Sequence, residues 1–271
     1  MTALFSLDGR IAVVTGGMGQ LGRQYVMALA TAGARVVSID VSDDAAQFVA
    51  RSGAAVDPAH LLLLKADVLD RKALEAALAR IEAAWGVPHI LVNNAALDSP
   101  PDAPLSENGP FENYPEASWD RVMDVNAKGT MLCCQVFGGA MAKAGRGSII
   151  NVGSIYGVVS PNQSIYEYRR QRGEDFYKPV AYAASKSAVY NLTRYLAVYW
   201  AGRNVRVNTV TLAGVYNGQD EEFLTHYLPK VPMGRMAKPE EYNGAILFLA
   251  SDASSYMTGS NLVVDGGWTA W

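Results

Sequence analysis

Tyr182 and Lys186 are the two side chains whose types and spacing best suit acid–base chemistry in this sequence. They lie four positions apart in "YAASK", so a helix would place both on one face. A free tyrosine has a pKa of about 10, which is too high for a base at neutral pH. A neighbouring ammonium stabilises the phenolate. The pair therefore predicts a tyrosine that takes a proton from an alcohol or returns one to a carbonyl.

A tyrosine and a lysine at this spacing are also common on helix surfaces. The other nearby tyrosines have no lysine four positions later. We interpret Tyr190 and Tyr195 as helix packing or interface residues. Tyr166, Tyr168 and Tyr177 belong to an irregular stretch and could line a pocket. A catalytic interpretation of Tyr182 therefore depends on a cofactor site elsewhere in the chain.

A glycine-rich loop, "TGGMGQLG", follows the first strand-like run and precedes a helical pattern. Gly17, Gly19 and Gly22 fit G-x-G-x-x-G, and Gly16, Gly19 and Gly22 fit G-x-x-G-x-x-G. Such glycines allow a tight turn and close approach of a pyrophosphate, and the following helix offers free N–H groups. The position between strand and helix favours a dinucleotide site over an ordinary glycine-rich turn.

Asp40 ends the second strand-like run, where an acid would bind the hydroxyls of the adenosine ribose. A carboxylate there would repel a 2′-phosphate, and no arginine follows in "DVSDD". The sequence therefore predicts NAD, rather than NADP, as the cofactor.

Strand-like and helical segments alternate along the chain, which is typical of a parallel sheet covered by helices on both faces. We predict a doubly wound α/β fold of the Rossmann type, with a seven-stranded parallel sheet and one domain over residues 1–271. The predicted strands are 11–15, 35–39, 61–66, 89–93, 148–152, 205–210 and 261–265. The predicted helices are 20–32, 70–84, 117–143, 180–201 and 239–250.

Further short motifs are spread over the rest of the chain in a fixed order. They are "KADVLD", "NNAA" (93–96), "DVNAKG" (124–129), "INVGS" (150–154), "YAASK" and the ending "SDASSYMTGSNLVVDGG". With the glycine loop, they make essentially the whole chain resemble the short, single-domain form of the short-chain dehydrogenase/reductase family. The resemblance implies an oxidoreductase that transfers a hydride between NAD(H) and a secondary alcohol or ketone.

The resemblance also implies roles for individual residues. Tyr182 would be the acid/base, and Lys186 would tune it and bind the nicotinamide ribose. Ser154 would bond the reacting oxygen, and Asn126 would hold a water in a proton relay. The implied cofactor contacts are Gly16, Met18, Gly19, Gln20, Leu21, Gly22, Asp40, Asp67, Val68, Asn94, Ala95, Tyr182, Lys186, Val215 and Asn217. No metal site is expected, because the histidines do not cluster with the cysteines.

Two departures from the family pattern concern the cofactor loop and the segment after the sixth strand. Gln20 stands where short members carry a glycine, and the loop spacing is more like that of extended members, which include sugar-nucleotide epimerases and dehydratases. Leu212 and Ala213 replace a proline–glycine pair. The segment that follows, at about 214–230, is expected to be a substrate lid with a helix that is acidic at its start.

A third departure is an insertion at about 160–179, which makes Ser154 and Tyr182 about twice as far apart as is usual. It carries Arg169, Arg170 and Arg172 among acidic residues. One interpretation is a solvated surface loop. The alternative is that one arginine recognises an anionic substrate by a bidentate contact.

The composition bears on partners and location. The chain has 271 residues and a formal net charge of −3, so neither nucleic acid nor a membrane surface is an expected partner. Cys133 and Cys134 are adjacent, which predicts no disulfide and a reducing compartment. With neither a basic leader nor a long apolar run, we expect a cytoplasmic protein without a membrane span.

The expected substrate is a small polar molecule. "SIYG", the insertion and "AGVYNGQ" resemble family members associated with modification of surface sugars and flagellin, which implies a sugar-like substrate. The usual assembly of the family implies a homodimer or homotetramer. Two alternatives stay open: an epimerase or dehydratase that keeps NAD bound through turnover, and a non-enzymatic NAD-binding sensor or scaffold.

Overall fold

The predicted strands form one parallel sheet in this computed structural model, which describes residues 3–52, 57, 59–98 and 105–271. The strands are β1 (Ile11–Thr15), β2 (Arg35–Asp40), β3 (Leu61–Lys65), β4 (Ile90–Asn93), β5 (Gly147–Val152), β6 (Val205–Leu212) and β7 (Asn261–Val264). Their order in the sheet is β3-β2-β1-β4-β5-β6-β7. The predicted doubly wound α/β fold is confirmed, and the strand bounds differ from the predicted ones by one or two residues.

Each face of the sheet has its own hydrophobic core, because successive residues of a strand point to opposite faces. Ile11 and Val13 belong to one buried cluster, whereas Ala12 and Val14 belong to the other. Both faces are therefore covered, which explains why the strand sequences are continuously apolar rather than alternating.

The longer helices divide between these two cores. The first core contains residues of Arg71–Ala84, of the helical run from Glu116 to Ala144, and of Val180–Trp200. The second contains residues of Gln20–Thr31, Ala45–Ser52 and Asn243–Ala250. Among the described residues, none of the helices has the length and apolar character needed to cross a membrane.

The helix Ala45–Ser52 was not predicted from the sequence. It begins just after Asp44, whose side chain accepts a hydrogen bond from the backbone N–H of Gln47 at 3.0 Å. Phe48 of this helix is buried in the second core. An acidic cap and a single buried aromatic therefore specify a short helix that has too few turns for a clear periodic pattern.

The helical run from Glu116 to Ala144 contains two wide turns. The α-helices Glu116–Met123, Thr130–Cys133 and Gly139–Ala144 are joined by the π-helical segments Asp124–Gly129 and Cys134–Gly138. The predicted helix at 117–143 is thus confirmed in extent but not in regularity. Single π-helical turns are often found at functional sites, and the first of these two contains Asn126.

The remaining helices are short. They are Ala3–Phe5, Leu105–Asn108, Phe111–Asn113, Ile155–Val158, Gln163–Tyr166, Glu167–Gln171, Ala201–Arg203, Glu221–Tyr227, Leu228–Lys230, Pro239–Tyr242 and Asp252–Ser254. The insertion is therefore partly helical, and its description as an irregular stretch was wrong. The side chain of Asn162 accepts a hydrogen bond from the N–H of Ser164 at 3.0 Å and starts the first of its two helices. The expected lid contains Glu221–Tyr227, which begins after Asp220.

The carboxyl ends of the strands carry the features that position a site. The strand order reverses between β1 and β4, and in such sheets this reversal opens a crevice where ligands bind. A third hydrophobic cluster, called here the edge cluster, joins residues that follow β5 with the insertion, the lid and the C-terminal region. Its members are Ile155, Tyr156, Ile165, Tyr166, Phe176, Phe223, Tyr227, Val231, Met236 and Trp268.

Candidate active site

The glycine loop turns from β1 into the helix Gln20–Thr31 so tightly that side chains would not fit. A Cβ on Gly17 would lie 2.2 Å from Ser38 Oγ, and one on Gly22 would lie 2.0 Å from the carbonyl oxygen of Gly16. Gly16 itself has φ +64, a conformation that favours glycine. These contacts explain why glycine is needed at these positions. Without side chains there, the backbone of the loop can be approached closely by a ligand.

The same loop offers N–H groups to an anion. Gly19 is the N-cap of the helix and has no side chain to accept hydrogen bonds from its first turn. The first N–H groups of a helix have no partner within the helix and lie at the positive end of its dipole. The loop and the helix start therefore fit the pyrophosphate of a dinucleotide.

The carboxylate of Asp40 is held beside this loop. Its two oxygens accept hydrogen bonds from the N–H of Met18 at 3.0 Å and from the N–H of Val41 at 2.8 Å. Asn94 supports the loop from β4, because its amide donates to the carbonyl oxygens of Thr15 and Gly16, at 3.1 Å each. The structure thus joins Met18, Asp40 and Asn94 to one loop at the crevice.

The other predicted cofactor contacts border the same region. Ala95 is close enough to Gly16 that a Cβ on that glycine would lie 2.8 Å from its Cα. Gln20 donates to the carbonyl oxygen of Tyr216 at 3.0 Å, which ties the glycine loop to the segment containing Val215 and Asn217. Leu21 packs against the second core.

Three of the predicted contacts are held less directly. Val68 is buried under Gly129, whereas Asp67 is exposed and accepts a hydrogen bond from the N–H of Leu69 at 2.9 Å. Asn217 is also exposed, and its backbone N–H donates to Gln219 at 2.7 Å.

Ser154 lies just beyond β5, at the start of the short helix Ile155–Val158. Its hydroxyl accepts a hydrogen bond from the N–H of Tyr156 at 3.2 Å and is also hydrogen-bonded to the phenol of Tyr182. Ser154 is buried, and its side chain lies next to Tyr182 even though the insertion separates the two residues in sequence. The structure therefore brings these two predicted catalytic groups into direct contact.

Tyr182 and Lys186 lie one turn apart near the start of Val180–Trp200. The Lys186 ammonium is 5.9 Å from the centre of the Tyr182 ring and donates to the carbonyl oxygen of Val152 at 2.8 Å. Burial lowers the pKa of Lys186 to about 8. The two side chains share a helix face, as their spacing predicted.

The expected direction of the Tyr182 pKa was wrong for the protein as the structure describes it. Burial and the negative charge of Asp98 raise the pKa of the phenol above its usual value, and the hydrogen bond with Ser154 lowers it only in part. The sequence argument considered the lysine and left out the burial of the phenol. Burial disfavours a phenolate, and here it is the largest cause of the raised pKa.

Asn126 joins the π-helical turn to the catalytic helix. It is 1% exposed, and its side chain bonds both backbone groups of Leu97, with the N–H donating at 2.7 Å and the carbonyl accepting at 3.0 Å. Its amide also donates to Ser185 Oγ at 2.9 Å, and that hydroxyl donates to the carbonyl of Tyr182 at 2.8 Å. Asn126 thus connects the loop after β4 with the helix turn that bears Tyr182.

Tyr190 supports Ser154, although the sequence argument assigned it to packing. Its hydroxyl lies 2.9 Å from the carbonyl oxygen of Ser154, to which it donates, and 2.5 Å from Thr211 Oγ1. Tyr190 follows Lys186 by one further helix turn, so it lies on the same face of the helix. This spacing was a signal that could have identified it.

We expect Tyr190→Phe to lower the free energy of unfolding by about 1–3 kcal/mol, because it leaves buried partners of the hydroxyl unsatisfied. Chemical denaturation measures this change. Tyr195→Phe is the matched control, since Tyr195 lies on the same helix with 63% of its surface exposed. An equal effect of both substitutions would contradict the role of the Tyr190 hydroxyl.

The three arginines of the insertion are engaged by groups of the protein. Arg169 pairs with Glu174 at 2.6 Å, and Arg170 pairs with Glu167 at 2.6 Å while also bonding two carbonyl oxygens. Their side chains are only 19% and 16% exposed, so a solvated loop was the wrong description of these two. Arg172 is exposed and pairs with Glu222 of the lid. These contacts favour a structural role over recognition of an anion.

The insertion and the lid form one wall of the site. Tyr168 stacks on His226 with ring centres 4.9 Å apart, and Tyr166 lies 6.1 Å from Phe223. Trp268 stacks on Tyr227 with ring centres 4.7 Å apart. In the part of the chain that the structure describes, no group of three or more His, Cys, Asp or Glu side chains is arranged to hold a metal ion.

Known proteins similar to this chain share its length and fold. A family model described as enoyl-(acyl carrier protein) reductase matches residues 19–269. Galactitol 2-dehydrogenase (L-tagatose-forming) of Cereibacter sphaeroides is 37% identical, covering 99% of this chain and 98% of that protein. The NAD-dependent glycerol dehydrogenase of Listeria innocua is 32% identical, covering 98% and 96%. A short chain dehydrogenase from Leptospira borgpetersenii with bound NAD+ has a TM-score of 0.83 and 30% identity, covering 97% and 93%.

Proposed function

The chain belongs to the short-chain dehydrogenase/reductase family, and we propose that it is an NAD-dependent dehydrogenase of a small polyol or related sugar. It interconverts a secondary alcohol and a ketone. The observation that carries this proposal is the contact between Ser154 and Tyr182, with Lys186 beside them and the bare glycine loop at the same edge of the sheet.

In this proposal a nicotinamide held at the glycine loop would supply the acceptor for the hydride of the carbinol carbon, or the donor for the ketone. Tyr182 takes the hydroxyl proton during oxidation and donates it during reduction. Ser154 holds the reacting oxygen through its hydroxyl and steadies the charge that develops there. The hydrogen bond between the two residues supports their action on the same substrate oxygen.

Lys186 and Asn126 are proposed to serve Tyr182. Lys186 brings a buried ammonium to within 5.9 Å of the phenol ring centre and favours the phenolate electrostatically. Its position next to β5 suits a contact with the nicotinamide ribose. Asn126 fixes the helix turn of Tyr182 through Ser185, and we keep its role in a water-mediated proton relay as a proposal.

The substrate class is supported by what relatives act on. One acts on galactitol and forms L-tagatose, and another acts on glycerol. Both substrates carry neighbouring hydroxyl groups, which agrees with the small, polar, sugar-like substrate expected from the sequence. The insertion at about 160–179 and the lid at about 214–230 are proposed to enclose such a molecule, within one domain that spans residues 1–271.

The preference for NAD rests on Asp40. Its carboxylate is fixed by two backbone N–H groups at the end of β2, where it would accept ribose hydroxyls and repel a 2′-phosphate. The fixed charge disfavours NADP more than it would on a mobile side chain, because it cannot move away from the phosphate.

We expect Asp40→Asn to lower the ratio of NAD to NADP affinity by at least about tenfold, the effect of about 1.4 kcal/mol. Calorimetric titration with each dinucleotide measures the ratio without turnover. Asp43→Asn is the control, since Asp43 is an exposed acid three positions further on. An unchanged ratio in Asp40→Asn would contradict the assignment of NAD preference to this carboxylate.

Absorbance of reduced nicotinamide tests the proposed function. The protein is mixed with NAD and, separately, with polyols, sugars, sugar acids and hydroxy acids. We expect reduced cofactor to accumulate with polyols. Turnover of a sugar without release of reduced cofactor would favour the epimerase or dehydratase alternative, which the G-x-x-G-x-x-G spacing suggests. NAD binding with no turnover of any compound would contradict the proposal and leave the sensor.

Location and assembly are also proposals. The two cysteines are free and buried, which supports a reducing compartment and therefore the cytoplasm. Tyr195, Val198 and Tyr199 lie exposed along the helix that bears Tyr182, which supports a homodimer or homotetramer through that helix. Light scattering of the purified protein distinguishes these assemblies from a monomer.

A further inference from the structure

A second pair of charged groups lies beside Tyr182. Asp98 follows the "NNAA" motif after β4, and Lys178 is near the end of the insertion. The Lys178 ammonium is 2.8 Å from Asp98 Oδ1. The same ammonium is 5.2 Å from the centre of the Tyr182 ring, and the Lys186 ammonium is 5.9 Å from it. The pair is therefore part of the catalytic surroundings.

The two partners differ in burial. The Lys178 side chain is only 9% exposed, whereas the Asp98 side chain is 60% exposed. Gln163 clamps the backbone of Lys178 by accepting from its N–H at 2.9 Å and donating to its carbonyl at 3.1 Å. A buried, fixed ammonium thus holds a solvent-exposed carboxylate close to Tyr182.

The charge of Asp98 reaches the groups that surround the reacting centre. Burial is the main cause of the raised pKa of Tyr182, Tyr156 and Tyr166, and the charge of Asp98 adds to the rise. Burial also lowers the pKa of Lys186, which the charge of Asp98 offsets only in part. These groups come from separate segments of the chain. The contact of Asp98 with Lys178, whose ammonium is 5.2 Å from the centre of the Tyr182 ring, places the carboxylate near the reacting centre.

The chemistry of a carboxylate selects the ligand it meets. An ionised carboxylate is an acceptor with two oxygens, so it can receive two neighbouring hydroxyl donors, and such charge-assisted hydrogen bonds are stronger than neutral ones. It also repels another carboxylate at the same place. With its partner lysine, it forms a neutral pair that offers no free positive charge to an anion.

We propose that Asp98, held in place by Lys178, binds the hydroxyl groups next to the reacting carbinol and selects neutral polyols over sugar acids. This inference rests on the proposed function and names the residue that determines its substrate class. Loss of the Asp98 charge would remove the repulsion of a substrate carboxylate and replace a charged hydrogen-bond acceptor by a neutral one. Asp98→Asn is therefore expected to lower the preference for neutral polyols over sugar acids.

The alternative is that the ion pair only ties the insertion to the loop after β4. A purely structural tie would change binding of all substrates by the same factor, and it would change stability. A specificity-determining carboxylate instead changes the ratio between a neutral ligand and an anionic one. The measurement that decides is therefore a ratio of affinities.

The test uses Tyr182→Phe protein loaded with NAD, so that binding is measured without turnover. Calorimetry gives the affinities of galactitol and of galactonate, which share a carbon chain and differ by a terminal carboxylate. Adding Asp98→Asn is expected to weaken galactitol binding by about tenfold, the loss of one charge-assisted hydrogen bond, and to strengthen galactonate binding. Asp252→Asn is the matched control, since Asp252 is 68% exposed and pairs with Arg10 at 3.0 Å at the amino end of β1.

The inference would be overturned if Asp98→Asn changed the ratio of galactitol affinity to galactonate affinity by less than about twofold. This holds whether both affinities fall or neither does, because an unaltered ratio means that the Asp98 charge does not discriminate between the two compounds. Absence of binding of either compound to the Tyr182→Phe protein would overturn it as well. Failure of the proposed function is separate, since it would show as absence of reduced NAD from the unmodified protein with every polyol. If the unmodified protein oxidises polyols but Asp98→Asn leaves the ratio of the two affinities unchanged, the proposed function stands and only the inference about Asp98 is wrong.

Discussion

Tyr182→Phe is expected to lower kcat for alcohol oxidation by about 10²–10⁴-fold, because it removes the proton acceptor. The substitution keeps the ring, which packs against the edge cluster, and removes only the hydroxyl that bonds Ser154. NAD affinity and the free energy of unfolding are therefore expected to change little. Steady-state kinetics at saturating NAD, with a polyol identified by the absorbance assay, measures the loss.

Tyr195→Phe provides the control for this prediction as well. Tyr195 lies on the same helix, and its ring stacks on the exposed Tyr199 rather than on the site. We expect wild-type kinetics from that variant. Retention of more than about a tenth of the wild-type kcat by Tyr182→Phe would be well above the range for a lost acid–base group and would assign proton transfer to another residue.

The raised pKa of Tyr182 sets the direction of the pH dependence. Alcohol oxidation requires the unprotonated phenol, and that form becomes more populated as pH rises towards the raised pKa. Ketone reduction requires the protonated phenol, so it is favoured in the opposite direction. The oxidation rate should therefore rise with pH across the neutral range. The rise should become less steep above about pH 8, because Lys186, whose pKa burial lowers to about 8, then loses the charge that favours the phenolate.

Gly22→Ala is the second substitution with a large expected effect. A Cβ at this position would lie 2.0 Å from the Gly16 carbonyl oxygen and 2.8 Å from backbone carbons of Gly16 and Gly17. All three atoms belong to the backbone of the loop, so no flexible side chain can move aside. We expect a loss of stability of about 1–3 kcal/mol from overpacking and NAD binding weaker by at least about tenfold.

Calorimetric NAD titration and chemical denaturation measure both effects of Gly22→Ala. Gly139→Ala is the matched control, because Gly139 is also helical and a Cβ there would meet no atom within 4 Å. That variant should bind NAD normally and be equally or slightly more stable, since alanine favours helix by about 1 kcal/mol over glycine. Normal NAD binding by Gly22→Ala would show that the loop does not hold the dinucleotide.

Local patterns predicted most of the fold. The strands of the sheet are buried on both faces, so each leaves a continuous apolar run such as "IAVVT", and the structure places a strand at each predicted run. The helix Ala45–Ser52 escaped notice because its burial depends mainly on Phe48. The insertion was misjudged for a related reason, since its helices are short and are stabilised by contacts with the lid that a sequence pattern does not contain.

Contacts within the candidate site could be predicted where they depend on the spacing of residues along one helix. They could not be predicted where the two partners are distant in sequence. Tyr182 and Lys186 share a helix face because they lie one turn apart. The partners of Asp98 and Arg172 are distant in sequence, so nothing in the sequence identified Lys178 and Glu222. The direction of the Tyr182 pKa likewise depends on burial, which arises only when the insertion, the lid and β5 come together.

The edge cluster has a consequence for how a protein of this kind can diversify. Its residues come from segments outside the sheet, whereas the two other cores are built by the strands and the longer helices. Substitutions that change the substrate-binding region therefore affect the edge cluster and not the two cores that stabilise the sheet. Sequence change in the insertion and the lid can therefore alter which molecule is accepted without disturbing the packing that stabilises the sheet.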